Sequence, residues 1–284
     1  MVFHLDIVLL SHWRMNKLIL IGLIITALLA YSCKPQPNNN PAPSIQHNSL
    51  NPKLLNTSLI DSSQLQYLMG RFSPEENPNF VAIPESDADR TGMYMRKEAY
   101  AAFKQMKEAA LGAGIELQIR SAARNFDYQK GIWERKWTGE TILSSGENAA
   151  TTFPESKHRA LKILEYSSMP GTSRHHWGTD IDLNNFNNSW FESGVGLKLF
   201  EWLEAHAHEY GYCRPYTAKD NQRPAGYNEE KWHWSYTPLS DSLTQLAKRH
   251  LSNQMIRGFM GDDVSEEIDV VGNYILGINS GCVH

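Results

Sequence analysis

The stretch SRHHWGTDID at residues 173–182 places two histidines, a glycine and two aspartates within ten positions. On an extended strand, Asp180 and Asp182 project from one face, and the intervening isoleucine packs into the core on the other. Gly178 permits a turn through which the chain folds back, so that His175 and Asp182 can reach one ion. This stretch therefore predicts a short strand that carries part of a metal site.

A second segment, EKWHWSY at residues 230–236, supplies another imidazole, His233, and a spare carboxylate, Glu230. A catalytic zinc needs three protein ligands and an open position for water, together with a base that accepts a proton from that water. The two segments contain all of these groups. Because adjacent side chains diverge, only one of His175 and His176 is expected to bind. The alternative interpretation is a polar loop with surface histidines.

Three segments resemble motifs of the VanY-type D-alanyl-D-alanine carboxypeptidases, which are zinc metallopeptidases of the LAS type. Residues 173–182 are similar to the family pattern S-x-H-x-x-G-x-A-x-D, and residues 230–234 to E-x-W-H-W/F. Residues 121–129 are similar to the upstream S-x-x-R…Q stretch. The segments occur in family order, and the resemblance covers residues 95–236. Asp180 departs from the pattern, because it stands where the family usually has Ala.

The resemblance implies a role for each matching residue. Glu230 would be the general base, and Arg124 would pair with the terminal carboxylate of the substrate, for which a planar guanidinium is well suited. Ser173 and Gln129 would contact the substrate. Asp180 would support the ligands from behind or compete for the zinc. The implied Zn²⁺ ligands are His175, Asp182 and His233. Without the family motifs, an arginine after a strand is more often a surface ion-pair partner.

Hydrophobic periodicity predicts an α+β fold with a small sheet. The family resemblance implies that this sheet is antiparallel, is flanked by helices and carries the zinc site. The predicted strands cover residues 115–119, 178–183 and 231–236. The predicted helices cover residues 95–110, 126–137, 197–210 and 239–256. Trp133 and Trp137 are four residues apart on one of these helices and are expected in the core.

The N-terminal region is typical of an export signal. Residues 18–30 form an apolar run of signal-peptide length, and Cys33 follows as in a bacterial lipobox. Residues 1–32 are therefore predicted to be a signal peptide, with Met15 as the true start. Residues 33–54 are rich in Pro and Asn, which predicts a flexible tether behind a lipidated Cys33. An ordinary signal peptide with an incidental cysteine is the alternative.

Composition excludes several classes of protein. The net charge of −4 disfavours nucleic-acid binding, and 41% hydrophobic residues exclude wholesale disorder. Only one long apolar run is present, which excludes a protein with several membrane spans, and three cysteines are too few for a disulfide scaffold. Residues 55–284 are predicted to form a single, monomeric peptidase domain.

The family resemblance and the leader together imply a zinc-dependent D,D-carboxypeptidase that removes a C-terminal D-Ala from peptidoglycan stem peptides. The protein would be exported, lipid-anchored to a bacterial membrane, and would face the periplasm or cell wall. An L,D-carboxypeptidase or a cross-link endopeptidase could share every motif, because these enzymes differ in pocket shape. A non-catalytic lipoprotein that binds wall peptides is a third possibility, which the intact Glu230 disfavours.

Lipidation of Cys33 would leave Cys213 and Cys282 as a pair. In an oxidising compartment such a pair is normally joined, so we expect a disulfide that holds residues 274–284 to the domain. Closing a loop of about seventy residues stabilises the fold by about 4 kcal/mol on the chain-entropy model. Two separate buried thiols, with the tail docked by apolar packing, are the alternative.

Overall fold

The computed structural model describes residues 60–283. The predicted signal peptide, the start at Met15, the lipidated Cys33 and the tether all lie outside this range. Within it, every helix is too short or too polar to cross a bilayer.

Helices and short strands alternate along the described residues. The strands are β1 (Phe80–Ala82), β2 (Tyr94–Arg96), β3 (Ile119–Ser121), β4 (Asp180–Leu183), β5 (Tyr212–Cys213) and β6 (His233–Tyr236). The helices are α1 (Ser62–Leu68), α2 (Lys97–Gly112), α3 (Phe126–Trp137), α4 (Ala149–Thr152), α5 (Ser156–Ile163), α6 (Gly194–His206), α7 (Thr237–His250) and α8 (Ser265–Ile268). Short 3₁₀ turns connect several of these elements.

A four-stranded antiparallel sheet in the order β3-β4-β6-β5 forms the centre of the fold, and β1 and β2 make a separate two-stranded sheet. In the central ladder Asp182 is opposite His233, and Asp180 is opposite Ser235. The register therefore brings the two segments singled out in the sequence side by side. The predicted α+β class with a small antiparallel sheet is confirmed.

The central sheet separates two apolar clusters. Ile181 is fully buried and packs in one cluster with Phe103 of α2 and Leu203 of α6. Trp133 and Trp137 of α3 are buried in the other cluster, as predicted, with ring centroids 6.0 Å apart. Burying one such side chain stabilises a fold by about 1.5–3 kcal/mol. Because Ile181 occupies one face of β4, the two aspartates are directed to the opposite face.

Helix α3 has the predicted bounds, because Asn125 caps its N-terminus by accepting a hydrogen bond from the backbone of Tyr128. The strand expected at residues 115–119 was placed too early. Its alternation reflects the burial of Leu117 and Ile119, whereas ladder pairing with β4 begins only at Ile119.

Three predicted helices also differ at their ends. Helix α6 begins at Gly194 rather than residue 197 and ends at His206, where a 3₁₀ turn continues to Tyr210. Helix α2 begins at Lys97 rather than residue 95, because the residues before it pair with β1. Helix α7 ends at His250 rather than residue 256, since the backbone of Leu251 is extended.

The C-terminal segment is held in two ways. Cys213, at the end of β5, and Cys282 are joined in a disulfide, with Cα atoms 5.6 Å apart. Tyr274, Ile275 and Ile278 are also buried in the cluster that contains Trp133. The apolar packing considered as an alternative therefore accompanies the disulfide.

Candidate metal centre and active-site cleft

A tight turn presents His175 to strand β4. Residues Arg174–Trp177 form a 3₁₀ turn that ends at Gly178, whose φ of 71° is left-handed. A Cβ at Gly178 would lie 2.3 Å from Cε1 of Phe80, so only glycine fits. The predicted turn is confirmed, and it folds His175 back over the strand that begins at Asp180.

His175, Asp182 and His233 converge, and one ligand atom from each lies within 4.8 Å of the others. Nε2 of His175 is 3.3 Å from Oδ2 of Asp182, and Nδ1 of His233 is 3.1 Å from Oδ1 of Asp182. All three side chains are buried. Strand pairing places His233 directly opposite Asp182, and the turn supplies His175.

The hydrogen bonds of this cluster leave ligand atoms free. Nδ1 of His175 donates to the carbonyl of Ala122 at 2.8 Å, which leaves its Nε2 without a hydrogen-bond partner. Oδ1 of Asp182 also lacks one. Buried polar atoms are nearly always paired, so these two atoms fit a set of metal ligands. Two imidazoles and one carboxylate are the donors that zinc prefers.

His176 is not part of this set. Its Nδ1 donates to the carbonyl of Arg124 at 2.6 Å, and its Nε2 accepts from the backbone of Gly171 at 3.0 Å. Burial lowers the pKa of His176 to about 3, so the ring is neutral. As predicted, only one of the two adjacent histidines faces the cluster.

Asp180 lies behind His233. Its Oδ2 accepts hydrogen bonds from Nε2 of His233 at 2.9 Å and from Nε of Arg174 at 3.1 Å. Its Oδ1 accepts from the hydroxyls of Thr179 and Ser235, both at 2.7 Å. Burial opposes the ionisation of Asp180, but the charge of Arg174 holds its pKa well below the usual range. The bond from His233 fixes the tautomer of that ring and turns Nδ1 toward Asp182.

Glu230 faces the same cluster from the turn before β6. Its Oε2 is 3.5 Å from Nδ1 of His233, and the side chain is buried. Burial raises the pKa of Glu230 to about 8. Burial opposes the charge of His233, but its bond to Asp180 and the nearby carboxylate of Asp182 outweigh that effect and raise its pKa to about 9.

An open cleft of about 580 Å³ leads to these residues, and its lining includes Arg124, Asp182, Glu230 and Trp232. Arg124 follows β3, and its backbone N–H donates to the carbonyl of His175 at 3.2 Å. Its Nε has no hydrogen-bond partner. Arg124 is therefore positioned to meet a ligand in the cleft.

The structure does not place the other two predicted substrate contacts on the cleft wall. Ser173 is buried, and its Oγ has no hydrogen-bond partner. Gln129 is fully buried, and its Nε2 donates to the carbonyl of Ser168 at 2.8 Å. In this geometry Gln129 holds the loop that precedes the His175 turn.

Two cations of the site were not recognised from the sequence. Arg174 is buried between Asp180 and Trp177, with its guanidinium carbon 4.6 Å from the centroid of the indole ring. The unusual aspartate at position 180 was a signal for it, because a buried carboxylate requires a partner. Lys136 lies on the cleft wall. Lys136 is four residues from Ile132 on α3, so the two side chains share one face of the helix, and both line the cleft.

Comparison with known proteins agrees with this geometry. The sequence profile of the VanY family, described as D-alanyl-D-alanine carboxypeptidase, matches residues 92–239, which is more than half of the chain. The putative carboxypeptidase YodJ of Bacillus subtilis is 30% identical over 146 residues, covering 50% of this chain and 46% of its own. A D-alanyl-D-alanine carboxypeptidase of Enterococcus faecalis is 24% identical over 135 residues, covering 46% of this chain and 44% of its own. The matched region spans about half the length of these relatives.

Solved structures with similar folds include VanYB in complex with D-alanine-D-alanine, with a TM-score of 0.45 and 18% identity over 63% of this chain and 88% of that one. The LD-carboxypeptidase LdcB has a TM-score of 0.42 and 21% identity over 70% of this chain and 79% of its own. The family match over residues 92–239 shows that this chain belongs to the VanY family of D-alanyl-D-alanine carboxypeptidases.

Proposed function

We propose that this protein is a zinc-dependent D,D-carboxypeptidase that removes the C-terminal D-Ala from peptidoglycan stem peptides. One observation carries the proposal. Three buried ligand atoms converge within 4.8 Å beside a buried glutamate at the end of an open cleft. A purely structural zinc site closes its coordination with protein and needs no base, whereas this cluster has three ligands and the adjacent Glu230.

In this proposal His175, Asp182 and His233 hold the zinc ion. When bound, zinc polarises the scissile carbonyl and lowers the pKa of the attacking water. Glu230 takes one proton from that water as the water oxygen attacks the carbonyl carbon. It then returns the proton to the leaving amine as the C–N bond breaks. Burial raises the pKa of Glu230, which makes its carboxylate a stronger proton acceptor.

Arg124 determines which end of the peptide is cleaved. Among the described residues its guanidinium has no carboxylate within ion-pair distance, and it lines the cleft together with Glu230. A free terminal carboxylate on the substrate would supply the missing partner. This requirement favours an exopeptidase over a cross-link endopeptidase, which has less need to hold a free carboxylate.

The predicted cellular location and the proposed reaction support one another. Export and lipidation at Cys33 would place a monomeric domain next to the cell wall, where stem peptides occur. The residues that carry this part lie outside the described range.

Purified protein should be incubated with a defined pentapeptide, a tetrapeptide and a cross-linked dimer, with the products identified by mass spectrometry. We expect loss of one alanine from the pentapeptide, abolished by a chelator and restored by zinc. Release of D-Ala from the tetrapeptide but not from the pentapeptide would indicate an L,D-carboxypeptidase. Cleavage of the dimer would indicate an endopeptidase. Binding without any cleavage would indicate a wall-peptide receptor. Glu230→Ala is the matched inactive control.

A further inference from the structure

A second cation faces the candidate active site from the last turn of α3. Lys136 lines the same cleft as Arg124, Asp182 and Glu230. Its Nζ donates to Oγ of Ser167 at 2.5 Å. The lysine is therefore held in place by a neutral hydroxyl.

Neither cleft cation forms a direct ion pair with a described residue. Among residues 60–283, no carboxylate lies within ion-pair distance of Lys136 or Arg124, whereas the neighbouring Lys162 pairs with Glu165 at 2.8 Å. Burial and the charge of Arg124 lower the pKa of Lys136, and the more distant carboxylate of Glu230 offsets this only in part. Two like charges in a partly dehydrated cleft repel each other, and an anion bound between them removes that cost.

We propose that Lys136 binds the terminal carboxylate of the substrate together with Arg124. This inference rests on the proposed function and extends its substrate recognition. A carboxylate has two oxygens, so the planar guanidinium of Arg124 and the ammonium of Lys136 can both bind it. Ser167 accepts from Lys136 with a lone pair, which leaves its hydroxyl hydrogen available to the same anion. The clamp therefore selects peptides that end in a free carboxylate.

Equilibrium binding tests the clamp without relying on turnover. The zinc-loaded full chain carrying Glu230→Ala is titrated with a stem pentapeptide and a tetrapeptide, each as the free acid and as the C-terminal amide. Lys136→Met is added to this background, and Arg135→Met serves as the control, because it removes one positive charge from the exposed neighbour on α3. Lys136→Arg restores the charge, and thermal unfolding verifies that each variant is folded.

The free acid should bind more tightly than the amide. Lys136→Met should weaken binding of the acid by about tenfold to a hundredfold and leave the amide unaffected, since charged hydrogen bonds are worth about that factor. Lys136→Arg should retain part of the preference, and Arg135→Met all of it.

Equal weakening of acid and amide by Lys136→Met, or an unchanged preference for the acid, would overturn the clamp. The clamp would also be overturned if the Glu230→Ala protein with Lys136 intact bound the free acid no more tightly than the amide for either peptide. Hydrolysis by the unaltered protein is measured separately. The clamp can therefore fail while the activity stands, and the activity can fail while the clamp stands.

Discussion

Strand β4 carries two buried carboxylates two residues apart, and their surroundings differ. Asp180 accepts four hydrogen bonds, from Thr179, Ser235, His233 and Arg174, so its charge and its oxygens are fully satisfied by protein. Asp182 lies beside two imidazoles, and one of its oxygens has no hydrogen-bond partner. Both residues project from the same face of one strand toward the same histidine.

This difference distinguishes a carboxylate that positions a ligand from one that can itself bind the metal. A carboxylate whose partners are complete cannot take a metal without breaking existing bonds, whereas an incomplete one has a lone pair available. Asp180 therefore orients His233, and Asp182 is the ligand in the proposed site. The charge that this chain adds where the family usually has Ala is balanced by Arg174, at 3.1 Å.

The largest expected effect is the loss of the proposed ligand. Asp182→Ala should abolish stoichiometric zinc binding and hydrolysis together, because two imidazoles alone make an incomplete site. Zinc content by atomic emission and release of D-Ala are the measurements. Zinc bound at normal affinity by this variant would transfer the third ligand position to Asp180 and reverse the comparison.

Glu230→Ala should separate binding from chemistry. The variant should keep stoichiometric zinc and lose about 10²–10⁴-fold in kcat, the range for removal of a general base. His233→Ala is the comparison variant, since it should lose both zinc and activity. Full hydrolysis by Glu230→Ala would exclude Glu230 as the base.

Zinc affinity should respond to Asp180 more weakly than to Asp182. Asp180→Asn keeps the shape of the side chain but removes its charge, which should weaken zinc binding by about 10–100-fold through the orientation and basicity of His233. Competition with a chromophoric chelator measures this effect. An affinity equal to that of the unaltered protein would show that Asp180 has no influence on the ligand.

For the stability of the metal-free protein, we expect Asp180 to matter more than Asp182, the reverse of their order for zinc affinity. Asp180→Ala leaves the buried Arg174 without its partner and should lower the free energy of unfolding by about 3–5 kcal/mol. Asp182→Ala should cost much less, because part of its hydrogen-bonding capacity is unused. Urea unfolding of the chelator-treated variants tests this ranking. A larger loss from Asp182→Ala would contradict it.

The last prediction concerns pH. In metal-free protein the pKa of Glu230 is raised to about 8 and that of His233 to about 9, so the folded state retains protons that the unfolded state has released. Their contribution to stability is complete at low pH. It should decrease from the ordinary values of 4.5 and 6.5 up to about pH 9. Chelator-treated Glu230→Gln should show a shallower decline, and an unchanged slope would contradict this assignment.

Local sequence pattern was sufficient to predict much of this protein. Helix α3 was placed with its correct bounds, because its N-terminal cap and its apolar spacing lie within one short segment. The turn at Gly178 and the alternation of β4 are also local properties. Residue types indicated a metal site in the two segments, and the resemblance to the VanY family assigned the ligands His175, Asp182 and His233.

Tertiary structure decided what depends on distant contacts. Strand pairing sets Asp182 opposite His233, 51 positions further along the chain, and no local pattern encodes that register. Arg174 binds Asp180, Ser235 and Thr244 from three different elements, and Lys136 binds Ser167, 31 positions further along the chain. The sequence alone therefore determined which groups are available, whereas only packing decided which carboxylate is satisfied and which can bind a ligand. The reason is that hydrogen-bond saturation depends on the full set of neighbours in space.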